Sequence, residues 1–167
     1  MEYTSTVIIS GHVDDNDTKY PDKTVTNTLR LALQRGYTLT ADALTGKISL
    51  VGPDRTIVIT PAEKLPTPTR AQRREVLALA ASHGPITWAY GSSNVIQLRD
   101  GERLIKHAMT MSLLNGGYLG ERTGKGNPAN LSLLAYLVLG AGQKDTYADQ
   151  RLAQALTRMY GPKGGGS

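Results

Sequence analysis

The segment ERLIKHAMTMSLLNGGYL, residues 102–119, places apolar residues at helical spacing and then a Gly-Gly stop. In a helix over 102–115, Ile105, Ala108, Met109, Ser112 and Leu113 share one side, because positions three and four apart stack on the same face. Gly116-Gly117 ends the helix, and Tyr118-Leu119 leads into extended chain. Arg103, Lys106, His107 and Thr110 fall at i, i+3, i+4 and i+7 on another side, which predicts an exposed stripe of two cations, an imidazole and a hydroxyl. Arg pairs bidentately with guanine, Lys and Thr reach phosphate or base edges, and a helix fits the major groove.

Upstream, residues 86–90 and 94–98 read as a hairpin around Gly91-Ser92-Ser93, and Asp100-Gly101 turns the chain into the helix. An earlier helix opens at Thr69 with Gln72 three residues on, the spacing of a capping box. Val76, Leu77 and Ala80 supply its expected buried face, Gly84-Pro85 stops it, and Arg70, Arg73 and Arg74 cluster at its start. Downstream, ERTGKGN (121–127) is a basic, glycine-containing loop that offers Arg122 and Lys125. Asn127-Pro128 suits the start of a helix through 139, although the chain from Leu131 could instead return as a strand. A last helix begins near Asp145 with Ala148, Leu152, Ala155, Leu156 and Met159 on one face, and GPKGGGS (161–167) forms a flexible tail.

The N-terminal part reads as β-α-β-β-β. Residues 3–9 are rich in β-branched side chains, 12–22 form a polar acidic loop, and Asp22 or Thr24 caps a helix that Gly36 ends. Val25, Leu29, Ala32 and Leu33 form its apolar face, and three strands follow at 37–41, 47–51 and 56–60. PAEKLPTP (61–68) holds three prolines and marks a linker. Two helix ends echo each other: LALQRGYTL (31–39) and MSLLNGGYL (111–119) both pass through Gly-Tyr into extended chain.

Charge is unevenly placed along these segments. The net formal charge is +5, but residues 1–66 carry seven Lys/Arg against eight Asp/Glu, and residues 67–167 carry twelve against six. A local cationic excess is what neutralising phosphates requires. The absence of cysteine excludes thiolate metal sites, cysteine nucleophiles and disulfides. No run approaches the about 18 apolar residues of a membrane helix, so the expectation is a soluble, cytoplasmic protein with no membrane partner. His12, Asp14, Asp15 and Asp17 lack the glycine and terminal glutamate of a calcium loop. The glycines of 120–126 lack Walker spacing, and no Ser/His/Asp set matches a hydrolase elbow. No enzyme activity, metal or cofactor is therefore expected.

A helix, a second helix closing on Leu-Leu-Asn-Gly-Gly-Tyr-Leu (113–119), and a basic loop together resemble the end of a winged-helix domain over about residues 69–134. The pattern departs from that family where it needs a second short helix before the recognition helix, since 86–98 reads as a hairpin. The resemblance implies a wing at Arg122 and Lys125 and contact with duplex DNA.

The sequence thus predicts an α+β chain in five parts. These are a small β-α-β-β-β module (1–60), a Pro-rich linker (61–68), a winged-helix-like basic module (69–139), a C-terminal helix (140–160) and a tail (161–167). The expected function is a DNA-binding regulatory or accessory protein, of the kind phages and plasmids encode. Its nucleic-acid-binding residues would be Arg70, Arg73, Arg74, Arg103, Lys106, His107, Thr110, Arg122 and Lys125. The final helix, over 146–160, packs within the monomer or pairs two copies into a homodimer. The alternative function is a protein-interaction module, an inhibitor or adaptor that binds an acidic partner.

Overall fold

A computed structural model describes residues 1–14, 18–140 and 146–162. It is mixed α+β and divides into two compact units, Met1–Pro66 with residues from Tyr136 onward, and Thr67–Ala135. The first crossing falls inside the proline-rich stretch, and α4 (Leu133–Gly140) carries the chain from the second unit back into the first.

In the first unit, β1 (Glu2–Ile9) is followed by β2 (His12–Asp14), β3 (Lys19–Pro21), α1 (Asp22–Gln34), β4 (Thr38–Ala41), β5 (Ile48–Val51) and β6 (Thr56–Pro61). The sheet is antiparallel in the order β2-β1-β6-β5-β4, with β3 also on β1. The acidic stretch after β1 is therefore more than a loop. His12–Asp14 turns back at Ser10-Gly11 and pairs with Val7–Ile9, satisfying backbone groups along the outer side of β1. Asp15 and Asp17 lie outside the described residues, and among the described residues no cluster of three His, Asp or Glu is placed to hold a metal.

Register explains the core. Leu39, Leu50, Ile57 and Val7 align in one row across β4, β5, β6 and β1, and Ala41, Ile48, Ile59 and Ser5 align in the next. Against these rows α1 packs the face expected from its periodicity, with Val25, Leu29, Ala32 and Leu33 buried. Asp22 does not cap it: the cap position is Pro21, and the Asp22 carboxylate accepts the Tyr3 hydroxyl at 3.3 Å. One helix of about 10 Å diameter spans only about two strands at about 4.8 Å spacing, so a four-strand face needs a second helix. It is supplied by α5 (Thr146–Tyr160), which packs on β4 and α1 and buries Ala148, Leu152, Leu156 and Tyr160. Asp149 accepts the Ala43 amide at 2.7 Å. The C-terminal helix is thus a layer of the N-terminal module, and the apolar face considered for homodimerisation is largely spent within the chain. Met159 stays 38% exposed.

The second unit contains α2 (Arg70–Ala80), β7 (Ile86–Tyr90), β8 (Ile96–Asp100), β9 (Arg103–Ile105) and α3 (His107–Asn115). The capping box at Thr69 and Gln72 forms in both directions, at 2.8 and 3.0 Å. Its buried side is Val76 and Leu79, whereas Leu77 and Ala80 face outward. Gln72 lies on the buried side too, donating to the Ser112 carbonyl and hydroxyl of α3, so the inner stripe runs 72-76-79. Residues 86–98 form a hairpin, with a single 3-10 turn at Ser92–Asn94.

The helix expected over 102–115 begins five residues late. Gly101, at φ +61°, closes a tight turn that pairs Asp100 with Arg103, so 103–105 become a third strand. Leu104 then points out and Ile105 in, an alternation that suits a strand as well as a helix. The end of α3 is as expected. The Gly117 amide bonds to the Leu114 carbonyl and the Tyr118 amide to the Leu113 carbonyl, the two bonds of a Schellman cap. Gly117 takes φ +80°, and a Cβ at Gly116 would lie 2.6 Å from the Tyr118 ring. The end of α1 repeats the pattern, with Gly36 bonded to Leu33 and Tyr37 to Ala32. The sequence echo between the two helix ends is a shared cap.

Beyond α3, Leu119 pairs antiparallel with Leu131, and the Gly120 amide meets the Asn130 carbonyl at 2.7 Å. The returning chain at Leu131 is extended, and α4 starts only at Leu133. Among the described residues no helix is long and apolar enough to cross a membrane.

Candidate functional site

The stripe expected on one helix face is dispersed by the strand at 103–105. Arg103 sits on β9, with Nη1 2.7 Å from Glu75 Oε1 of α2 and Nη2 3.3 Å from Asp100 Oδ2 of β8. The close contact with Glu75 comes first in holding its guanidinium charged more firmly than usual. The Glu75 and Asp100 side chains are only 17% and 13% exposed, so Arg103 pairs with two largely buried carboxylates and ties α2 to the sheet. Thr110 is fully buried, its hydroxyl donating to the Ile105 and Lys106 carbonyls at 3.2 and 3.0 Å. It closes the first turn of α3 and is not available to a ligand.

His107, the first residue of α3, is exposed along part of its surface, while its Nδ1 lies 2.8 Å from the Ile96 carbonyl. A carbonyl only accepts, so Nδ1 carries the proton and Nε2 is left as an acceptor in the neutral ring. Lys106 is exposed at the cap position. Beyond His107, α3 reads Ala-Met-Thr-Met-Ser-Leu-Leu-Asn and carries no charge.

The loop after α3 is built more firmly than its glycines suggest. Residues 121–128 are all exposed. The Gly126 amide donates to the Trp88 carbonyl at 2.8 Å, the Trp88 amide to the Asn127 carbonyl at 3.0 Å, and the Ala129 amide to the Ile86 carbonyl at 2.8 Å. The loop thereby adds to the edge of β7. Arg122 lies over the Tyr90 ring, 5.4 Å from its centre, and its Nε donates to the Tyr90 hydroxyl at 3.1 Å. That hydroxyl in turn donates to the Thr123 carbonyl at 2.9 Å. Tyr90 thus positions a basic side chain, a partnership across 32 residues that no local spacing signals. Lys125 occupies the exposed turn.

Arg70, Arg73 and Arg74 lie in the first turns of α2, with Arg70 and Arg74 exposed. No acidic residue shares that first turn. Cations at this end oppose the helix dipole, an arrangement that costs a few tenths of a kcal/mol each, about 0.3–1 at most, and concentrates positive potential there. Arg99, overlooked in the sequence, is exposed on β8. The alternation of Ile96-Gln97-Leu98-Arg99 could have found it, since Ile96 and Leu98 are buried and the residue between and after them face out.

Division into units sharpens the charge asymmetry. Thr67–Ala135 holds eight Lys/Arg against four Asp/Glu, while the rest of the chain holds eleven against ten. Arg103 is paired with Glu75 and Asp100, a group that is itself net −1, so the unit's balance of +4 rests on the seven other cations. In comparisons with protein families, curated proteins and solved structures, nothing matches this chain.

Proposed function

We infer that the second unit binds nucleic acid through the phosphate backbone, with duplex DNA as the target, in a regulatory or accessory role. The observation that carries this reading is the charge segregation, eight Lys/Arg against four Asp/Glu in the second unit and eleven against ten in the rest of the chain. A wing-like part for residues 121–128 is supported by the antiparallel base at Leu119 and Leu131, and by the Arg122 side chain held on Tyr90. The exposed Arg70, Arg74 and Lys106 add further phosphate partners. Because α3 carries no cation after His107, base-edge readout is weak on this reading, and discrimination between DNA sequences is small.

The test is fluorescence anisotropy with a labelled random duplex at two salt concentrations, on the full chain and on Arg70→Ala/Arg74→Ala. Binding that weakens steeply with salt is expected, and the double variant should lower the slope of log K against log salt by about 1.8, at about 0.9 per phosphate contact. A chain that is not retained at low salt, or a variant with the parent's slope, would refute it. Retention of one acidic protein in place of DNA would favour the interaction-module reading.

A further inference from the structure

We propose that the first unit carries a binding site for a small neutral ligand with an apolar ring and one hydrogen-bonding group, in a cleft between α1 and strands β1 and β6. The cleft has a volume of about 330 Å³, at the lower end of the range of about 300–1,000 Å³ typical of small-molecule sites.

Its origin lies in the register of the sheet. Along the row Ala41-Ile48-Ile59-Ser5, Ile48 and Ile59 are buried, but the row ends on β1 in a small serine. Along the row Leu39-Leu50-Ile57-Val7, burial likewise falls from complete at Leu50 to partial at Ile57 and Val7. α5 covers the β4 side, so the opposite side depends on α1. There α1 presents Thr24 and Thr28, one turn apart, beside Val25. Short side chains on both layers leave the gap unfilled, whereas interiors otherwise pack to crystal-like density.

The lining defines the ligand. Val7, Val25, Ile57 and Ile59 supply branched apolar walls, and Ser5, Thr24, Thr28 and Tyr20 supply hydroxyls. The Thr28 hydroxyl donates to the Thr24 carbonyl at 3.3 Å, which leaves its lone pairs as acceptors. Among the described residues, no ionisable acid or base of ordinary physiological charge lines the cleft. An ion entering it would lose hydration with no countercharge from these lining side chains, so a neutral phenol-like or indole-like molecule suits them better than its charged analogue.

Methyl-resolved NMR titration of the full chain with 2-naphthol is the direct test, with 2-naphthoate as the charged control. Saturable shifts confined to the methyls of Val7, Val25, Ile57 and Ile59 are expected, with at least tenfold weaker binding of 2-naphthoate. Ser5→Leu fills the cleft and should abolish the saturable shifts. Should that variant fail to fold, Thr28→Val keeps the size and removes one of the four hydroxyls, and should narrow the preference for 2-naphthol over naphthalene. Scattered or non-saturable shifts, equal binding of 2-naphthoate, or unchanged binding by the variants overturns the proposal.

Discussion

The two units solve the same packing problem with different sequence economies. The first lays two helices on one sheet face and takes the second of them, α5, from the far end of the chain. The second is continuous, joins its helix α2 to a small sheet with the Arg103–Glu75–Asp100 triad, and carries most of the net charge. Stability of the first unit therefore rests on long-range apolar burial, whereas in the second a polar tie adds to a smaller core. The contrast also separates cations that hold structure from cations that face outward.

The largest expected effect is on the borrowed helix. Leu156 is fully buried, and Leu156→Ala should cost about 2–5 kcal/mol by urea denaturation. A loss well below that range would mean that α5 is not a core layer of the first unit.

Alkaline pH probes the same layer. Burial, the first cause in each case, pushes the Tyr136 phenol up to about 12 and raises those of Tyr3 and Tyr160 as well. A raised phenol stabilises fully below its ordinary value of 10.0 and ceases to do so as pH climbs through its folded value. Stability should thus be flat up to about pH 10 and fall toward pH 12 for Tyr136, as the unfolded chain loses protons first. Tyr136→Phe should flatten that decline when urea midpoints are compared across pH, and an unchanged decline would contradict the assignment.

Arg103→Ala leaves Glu75 and Asp100 without their shared cation. Because the arginine side chain is 44% exposed, solvent offsets part of the loss, and about 1–2 kcal/mol is expected. The variant should lose stability while DNA affinity falls less than in Arg122→Ala. The reverse order, measured by denaturation and anisotropy, would place Arg103 at the interface after all. Smaller still, Gly117→Ala should cost about 1 kcal/mol because its φ of +80° disfavours a side chain. Gly117→Asn should recover part of it, and equal melting temperatures for all three chains would count against the cap.

Features with a local cause could be read from the sequence. The buried face of α1 shows in its helical periodicity, and the capping box at Thr69 and both Gly-Tyr helix ends follow from interactions within five residues. The destination of α5 was hidden, because an apolar face at 148, 152 and 156 announces burial without naming what covers it. The strand at 103–105 was hidden because Ile105 satisfies both the helical and the alternating period, so the Gly101 turn decides. Candidate site residues divide the same way. Arg70, Arg74, Lys106, Arg122 and Lys125 are exposed as charge alone suggests, while Arg103 and Thr110 are claimed by partners. Those partners include Glu75, 28 positions before Arg103, and no spacing rule reaches that far.

The most direct test of the account compares the units' cations by salt-dependent anisotropy on one labelled duplex. Arg122→Ala/Lys125→Ala should lower the slope of log K against log salt by about 1.8, while Lys47→Ala/Arg55→Ala, in the first unit, should leave it unchanged. Equal slopes for the two double variants, or no binding by the parent chain at low salt, would contradict the claim that the second unit is the nucleic-acid-binding part.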